Sequence, residues 1–147
     1  MTTTLDEATF QIAVERAASH PDRRTRLARI NSGDVVVVQR GRKRRFRGAP
    51  AGTGDLVGYV LGSGVHLEVE LKRAGGRSRP AQRRRREAAA RDGWIYVLIV
   101  ADASLTLEAN VRRAVALIDV AILQHERRQT TRDATRETTV LEHELLG

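Results

Sequence analysis

The segment Val65-His66-Leu67-Glu68-Val69-Glu70-Leu71-Lys72 alternates apolar and polar residues without a break. That is the period of a β-strand whose two faces differ. Val65, Leu67, Val69 and Leu71 share one face, and His66, Glu68, Glu70 and Lys72 share the other. Asp55 to Leu61 forms a second strand, and the short Gly62-Ser63-Gly64 link predicts an antiparallel pair. Asp34 to Arg40 holds four consecutive valines, a run that predicts a strand buried on both faces. Gly41 punctuates it, and Lys43 to Arg47 returns as the second arm of a hairpin. Trp94 to Val100 reads as a further buried strand.

Three segments carry helical signals. Thr4 with Glu7 forms a capping-box pattern that opens a helix to about Ser19, with Phe10, Ala13, Val14 and Ala17 as its stripe. Arg79 to Asp92 is the second, closed by Gly93. Ser104 caps the third, whose stripe is Leu107, Val111, Ala114, Val115, Ile118 and Ile122. The order α, β-hairpin, β-β, α, β, α predicts one α/β domain over residues 1–126 with a mixed sheet flanked by helices. Residues 127–147 are polar, charge-balanced and threonine-rich, and read as a mobile tail ending in a short helix at Val140 to Leu146.

Charge changes the picture. Twenty-six basic residues face 18 acidic ones, a formal +8, and Lys43 and Lys72 are the only lysines. Arginine makes two-pronged bonds to phosphate and a positive field attracts polyanions, so nucleic acid is the expected partner. Arg40, Arg42, Lys43, Arg44, Arg45 and Arg47 crowd the hairpin, while Arg77, Arg79 and Arg83 to Arg86 lead into and fill the second helix. Aromatic residues are scarce beside these clusters, Phe46 excepted, which favours gripping a duplex backbone over stacking on single strands. The absence of cysteine excludes a disulfide framework and a cysteine zinc site. The longest apolar run is far too short to cross a bilayer and the first residues carry no secretory pattern, so a soluble intracellular protein is expected.

The chemistry gathers on the alternating strand. Pairing through the glycine turn brings Asp55 towards Glu70 and Lys72, so the three are expected to converge at one edge of the sheet. Close carboxylates repel unless a cation lies between them, and Mg²⁺ takes oxygen ligands. Such an ion polarises a phosphoryl oxygen and acidifies water, while an ammonium offsets charge developing on a phosphate. An amphipathic strand with one wet face also explains the alternation. By that reading Glu68 is a solvated strand residue rather than an acid supporting the site, His66 a surface residue rather than a general base, and Asp34 a strand-start carboxylate rather than one drawn into the site. Gly48, Gly52 and Gly54 serve equally as turns or as close approaches to phosphate.

From Arg29 to about Ala101 the chain resembles the VRR-NUC branch of the PD-(D/E)XK nucleases. The matching pieces are Arg29-Ile30-Asn31-Ser32-Gly33, Arg45-Phe46-Arg47-Gly48, Gly52-Thr53-Gly54-Asp55-Leu56-Val57-Gly58 and Glu68-Val69-Glu70-Leu71-Lys72. Ser78 with Gln82, and Gly93 before an apolar strand, follow in order; Glu7 and Gln11 supply the pair often found on the first helix. The resemblance implies a restriction-endonuclease-like fold and a nuclease dependent on Mg²⁺ or Mn²⁺. Asp55, Glu70 and the Leu71 carbonyl would bind the metal and Lys72 would be the catalytic lysine. Gln82 would face the site, with Glu7 as a further acidic contributor. Arg42, Lys43, Arg44, Arg45, Arg47, Arg79, Arg83 and Arg86 would contact nucleic acid. Gly54 stands where the family usually has proline, and Ala51 where it often has a basic residue. Small members are similar to Holliday-junction resolvases, which extends the expectation to branched DNA and a homodimer by fold analogy. The rival reading is a nucleic-acid-binding module that keeps the fold without catalysis.

Overall fold

A computed structural model describes residues 5–30, 34–39 and 41–145. The element order is α1 (Glu7–Ala18), β1 (Thr25–Arg29), β2 (Asp34–Gln39), β3 (Arg42–Arg47), β4 (Leu56–Val60), β5 (His66–Lys72), α2 (Pro80–Asp92), β6 (Ile95–Val100) and α3 (Leu107–Leu145). Four strands make a mixed sheet in the order β1-β4-β5-β6. β4 runs antiparallel to β1 and β5, whereas β6 runs parallel to β5. α2 makes that parallel return possible, since a parallel pair needs a crossover rather than a tight turn. The class is α/β, as the pattern predicts.

One sheet face meets α1 and α3. Leu67, Val69 and Leu71 of β5 and Ile95 and Ile99 of β6 pack there with Phe10, Val14, Ala114 and Ile118. Each of the valine, leucine, isoleucine and phenylalanine side chains among them contributes roughly 1.5–3 kcal/mol by leaving water. α2 covers the other face, where the polar residues of β5 lie. That second cover is why an alternating strand is buried along most of both faces.

Several expectations change. The α1 cap is Asp6, whose side chain accepts the Thr9 N–H at 2.9 Å, while Thr4 lies outside the described residues. β1 has no counterpart in the sequence reading. Its backbone is satisfied by β4, so it forms without an apolar alternation of its own. The valine run does pair with the basic strand, but β2 and β3 make a separate two-stranded sheet, and Val38 is 63% exposed. It is not a strand buried on both faces.

Ser104 does not cap α3. Its N–H and hydroxyl both turn back to Asp102, and Thr106 accepts the Ala109 N–H instead. α3 also continues past residue 126 to Leu145, where a tail was expected. Residues 127–137 are almost wholly exposed, so no apolar stripe announces this stretch, yet it holds neither proline nor glycine to stop the helix. No helix among the described residues is long and apolar enough to cross a membrane.

Candidate active site

Asp55 ends a loop, and Leu56 beside it pairs with Val69. The register therefore sets Asp55 across from Glu70 on the polar face. The Asp55 carboxylate accepts the Leu71 N–H at 2.8 Å, which fixes its distance along β5. The Ile30 N–H donates to the Asp55 carbonyl at 3.1 Å and holds the loop from the other side. These residues lie at the ends of the two central strands, not at an edge of the sheet.

Glu70 is only 2% exposed. The Lys72 ammonium pairs with its Oε1, and the Gln82 side-chain amide donates to the same oxygen. Gln82 also accepts the Arg79 N–H at 2.7 Å, so one side chain both starts α2 and steadies Glu70. Burial raises the Glu70 pKa to about 7, with Lys72 pulling it down and Asp55 and Glu7 pushing it up. Burial likewise raises Asp55, against the Leu71 hydrogen bond and Lys72. Two acids that resist ionising beside each other are the arrangement a hard cation relieves.

Glu7 of α1 approaches from the far side. Its carboxylate accepts the Arg73 N–H at 3.5 Å and its charge is felt by both Asp55 and Glu70. It does not complete a ligand set: among the described residues no three acidic or histidine side chains form a group able to hold a metal. Two carboxylates still suit Mg²⁺, which keeps several waters and takes one or two protein carboxylates.

Glu68 is not the solvated residue its alternation implied. It is 0% exposed and accepts from the Gly54 N–H at 3.1 Å, from Arg85 at 3.2 and 2.6 Å, and pairs with His66 Nε2 at 2.9 Å. Burial pushes its pKa up, but the Arg85 and His66 hydrogen bonds and the Gly54 N–H outweigh this and hold it below the usual value. Gly54 has a physical use here, because its N–H donates to the buried Glu68 carboxylate. A proline at position 54 would have no N–H for Glu68. The α2 pattern was the available signal, because Gln82, Arg85 and Ala89 fall on one helical face.

The loop before Asp55 is fitted closely to α2. Gly52 has φ +87°, and a Cβ there would meet the Ala81 carbonyl oxygen at 2.4 Å. The close approach at Gly52 is therefore to the α2 backbone, and it leaves no room for a side chain. Gly54 lies against the Val69 backbone, where a Cβ would sit at 3.0 Å.

Of the expected nucleic-acid contacts, Arg42, Lys43, Arg79, Arg83 and Arg86 are exposed. Arg44, Arg45 and Arg47 belong to β3, but their side chains lie outside the described set, as do Asp34's side chain and residues 31–33 and 40. Tyr96 is a residue the sequence reading missed. It faces the Glu70, Glu68 and Asp55 charges, its hydroxyl is buried with no hydrogen-bond partner among the described residues, and burial first and these charges next raise its pKa. No protein-family model, no curated protein and no solved structure matches this chain.

Proposed function

We propose that this chain is a metal-dependent nuclease that hydrolyses DNA phosphodiester bonds, with the restriction-endonuclease-like fold of the VRR-NUC branch. The observation that carries the reading is the meeting of Asp55, Glu70 and Lys72 at the ends of β4 and β5. Asp55, Glu70 and the Leu71 carbonyl would hold Mg²⁺ or Mn²⁺. Bound there, the ion supplies Lewis-acid polarisation of the phosphoryl group and a lower pKa for water. Lys72 holds Glu70 in place through its ion pair and brings a positive charge to where a phosphate gathers negative charge. Gln82 keeps the Glu70 carboxylate from turning away. The exposed arginines of α2 and the cations of the β2–β3 turn supply the phosphate grip.

By analogy with junction resolvases of similar size, the finer reading is a soluble intracellular homodimer acting on branched DNA. The test is incubation of plasmid and four-way-junction DNA with Mg²⁺ or Mn²⁺, using wild type, Asp55→Ala and Lys72→Ala. Cleavage by wild type alone supports the reading. Cleavage that survives in both variants removes this site, and binding without cleavage by wild type favours the non-catalytic module.

A further inference from the structure

The site sits on a sheet face that also carries aromatic rings, and their arrangement bears on the substrate. β4 and β5 pair Tyr59 with His66, and Leu67 pairs with Ile95 between β5 and β6. The latter register sets His66 beside Trp94. Residues directly opposite each other in a sheet point the same way. Tyr59, His66 and Trp94 therefore form a row across three strands on the face that holds Glu68 and Glu70.

The row is held rigidly yet open. His66 meets Trp94 edge-on, with ring centroids 5.1 Å apart, and Trp94 meets Tyr96 at 6.4 Å. Arg85 lies over the Trp94 ring at 4.9 Å while its guanidinium is fixed by Glu68. Tyr59 is 48% exposed and the His66 side chain 42%. The chain has five Phe, Tyr and Trp residues in all, and Tyr59, Trp94 and Tyr96 share this one face. The opposite, apolar face contains only Phe10 of that set among the core residues. Aromatic packing is thus spent on the polar side, where an exposed tyrosine gains little from burial.

We propose that Tyr59 and His66, braced by Trp94, form a stacking platform for unpaired bases of the strand held at Asp55 and Glu70. The proposal rests on the nuclease reading and narrows its substrate to DNA with a single-stranded or splayed segment beside the cut. Distance fits: from Asp55 to the exposed Tyr59 is four residues along β4, about 13 Å at the strand rise, beside the part of β5 that α2 covers. That spans about four nucleotides at the duplex rise of 3.4 Å and fewer in an extended strand. Charge fits as well. Arg83, Arg84 and Arg86 are exposed on the covering helix and have no ion-pair partner among the described residues. Bases of any sequence offer a π-face, so a cationic groove with aromatic side chains suits a single strand without sequence preference.

The test compares a short mixed-sequence single strand with an abasic strand of equal length, which keeps the phosphates and lacks the bases. Fluorescence anisotropy in chelator measures affinity of the full chain, and emission of Trp94, the only tryptophan, reports stacking beside it. Wild type should bind the base-bearing strand roughly tenfold more tightly than the abasic one, within the range one base–aromatic stack supplies. That strand alone should alter Trp94 emission. Tyr59→Ala and His66→Ala should each shrink the gap, and Tyr59→Trp should keep it. Equal binding of the two strands by wild type, or a gap that persists in both alanine variants, overturns the platform. The nuclease reading fails by a separate result: neither plasmid nor four-way-junction DNA is cut once Mg²⁺ or Mn²⁺ replaces the chelator.

Discussion

The Asp55 carboxylate is hydrogen-bonded to the Leu71 backbone N–H at 2.8 Å, so a loop acid is registered onto the strand residue next to Glu70. That bond separates two jobs of Asp55. Asp55→Asn keeps an oxygen to accept the N–H but removes the charge; it should lower Mn²⁺ affinity by at least the roughly tenfold that losing even a partner of a ligand costs, with little change in Tm. Asp55→Ala also leaves the N–H unpaired, costing about 1–3 kcal/mol. Titration calorimetry with thermal melts distinguishes them. Unchanged Mn²⁺ binding in both variants would make Asp55 a purely structural residue.

Glu70 predicts a pH dependence of known sign. Its folded pKa, about 7, lies above the ordinary 4.5, so the folded state binds the extra proton between those values. Its contribution is fully present below pH 4.5 and is lost as pH rises through 7, at up to about 1.4 kcal/mol per pH unit. Metal-free protein should therefore lose stability across this window, and Glu70→Gln should flatten the loss. Mg²⁺ affinity should run the other way and rise towards pH 7, as the proton leaves. Urea melts at several pH values with and without Mg²⁺ measure both slopes.

Arg85 neutralises a fully buried carboxylate. Arg85→Ala leaves Glu68 buried without its main partner and should destabilise by about 3–5 kcal/mol, while the paired replacement Glu68→Leu with Arg85→Met should recover much of that loss. If Arg85→Ala melts like wild type, the pair carries no such weight.

The exposed arginines of α2 should act through salt. Removing one phosphate contact by Arg83→Ala or Arg86→Ala should lower the slope of log affinity against log salt by about 0.9 on duplex DNA. Arg112→Ala serves as the control, because Arg112 is already paired with Glu108 at 2.5 Å on α3. Its slope should match wild type. Slopes unchanged in the α2 variants would place the phosphate grip elsewhere.

The meeting of Asp55, Glu70 and Lys72 was legible because it depends on local rules: a strand period of two and a glycine turn. The fate of Glu68 was not, because it depends on which arginine of a run of four turns inward, seventeen residues away. Alternation divides side chains between faces but does not say that a helix will cover the polar one. β1 escaped notice for a related reason: Thr25-Arg26-Leu27-Ala28-Arg29 has a weak apolar pattern, and its place comes from hydrogen bonds to β4. The valines of β2 misled in the opposite direction, since hydrophobicity predicted a central strand and the chain paired them with a basic neighbour instead. The aromatic row appears only when three strands are laid side by side.

The four bonds converging on Glu68 join the Gly54 loop, β5 and α2, segments that are distant along the chain. Breathing in any one of them must disturb the other two. Amide exchange in these three stretches should then proceed as one cooperative event, and the arrangement of Asp55, Glu70 and Lys72 would be kept or lost whole.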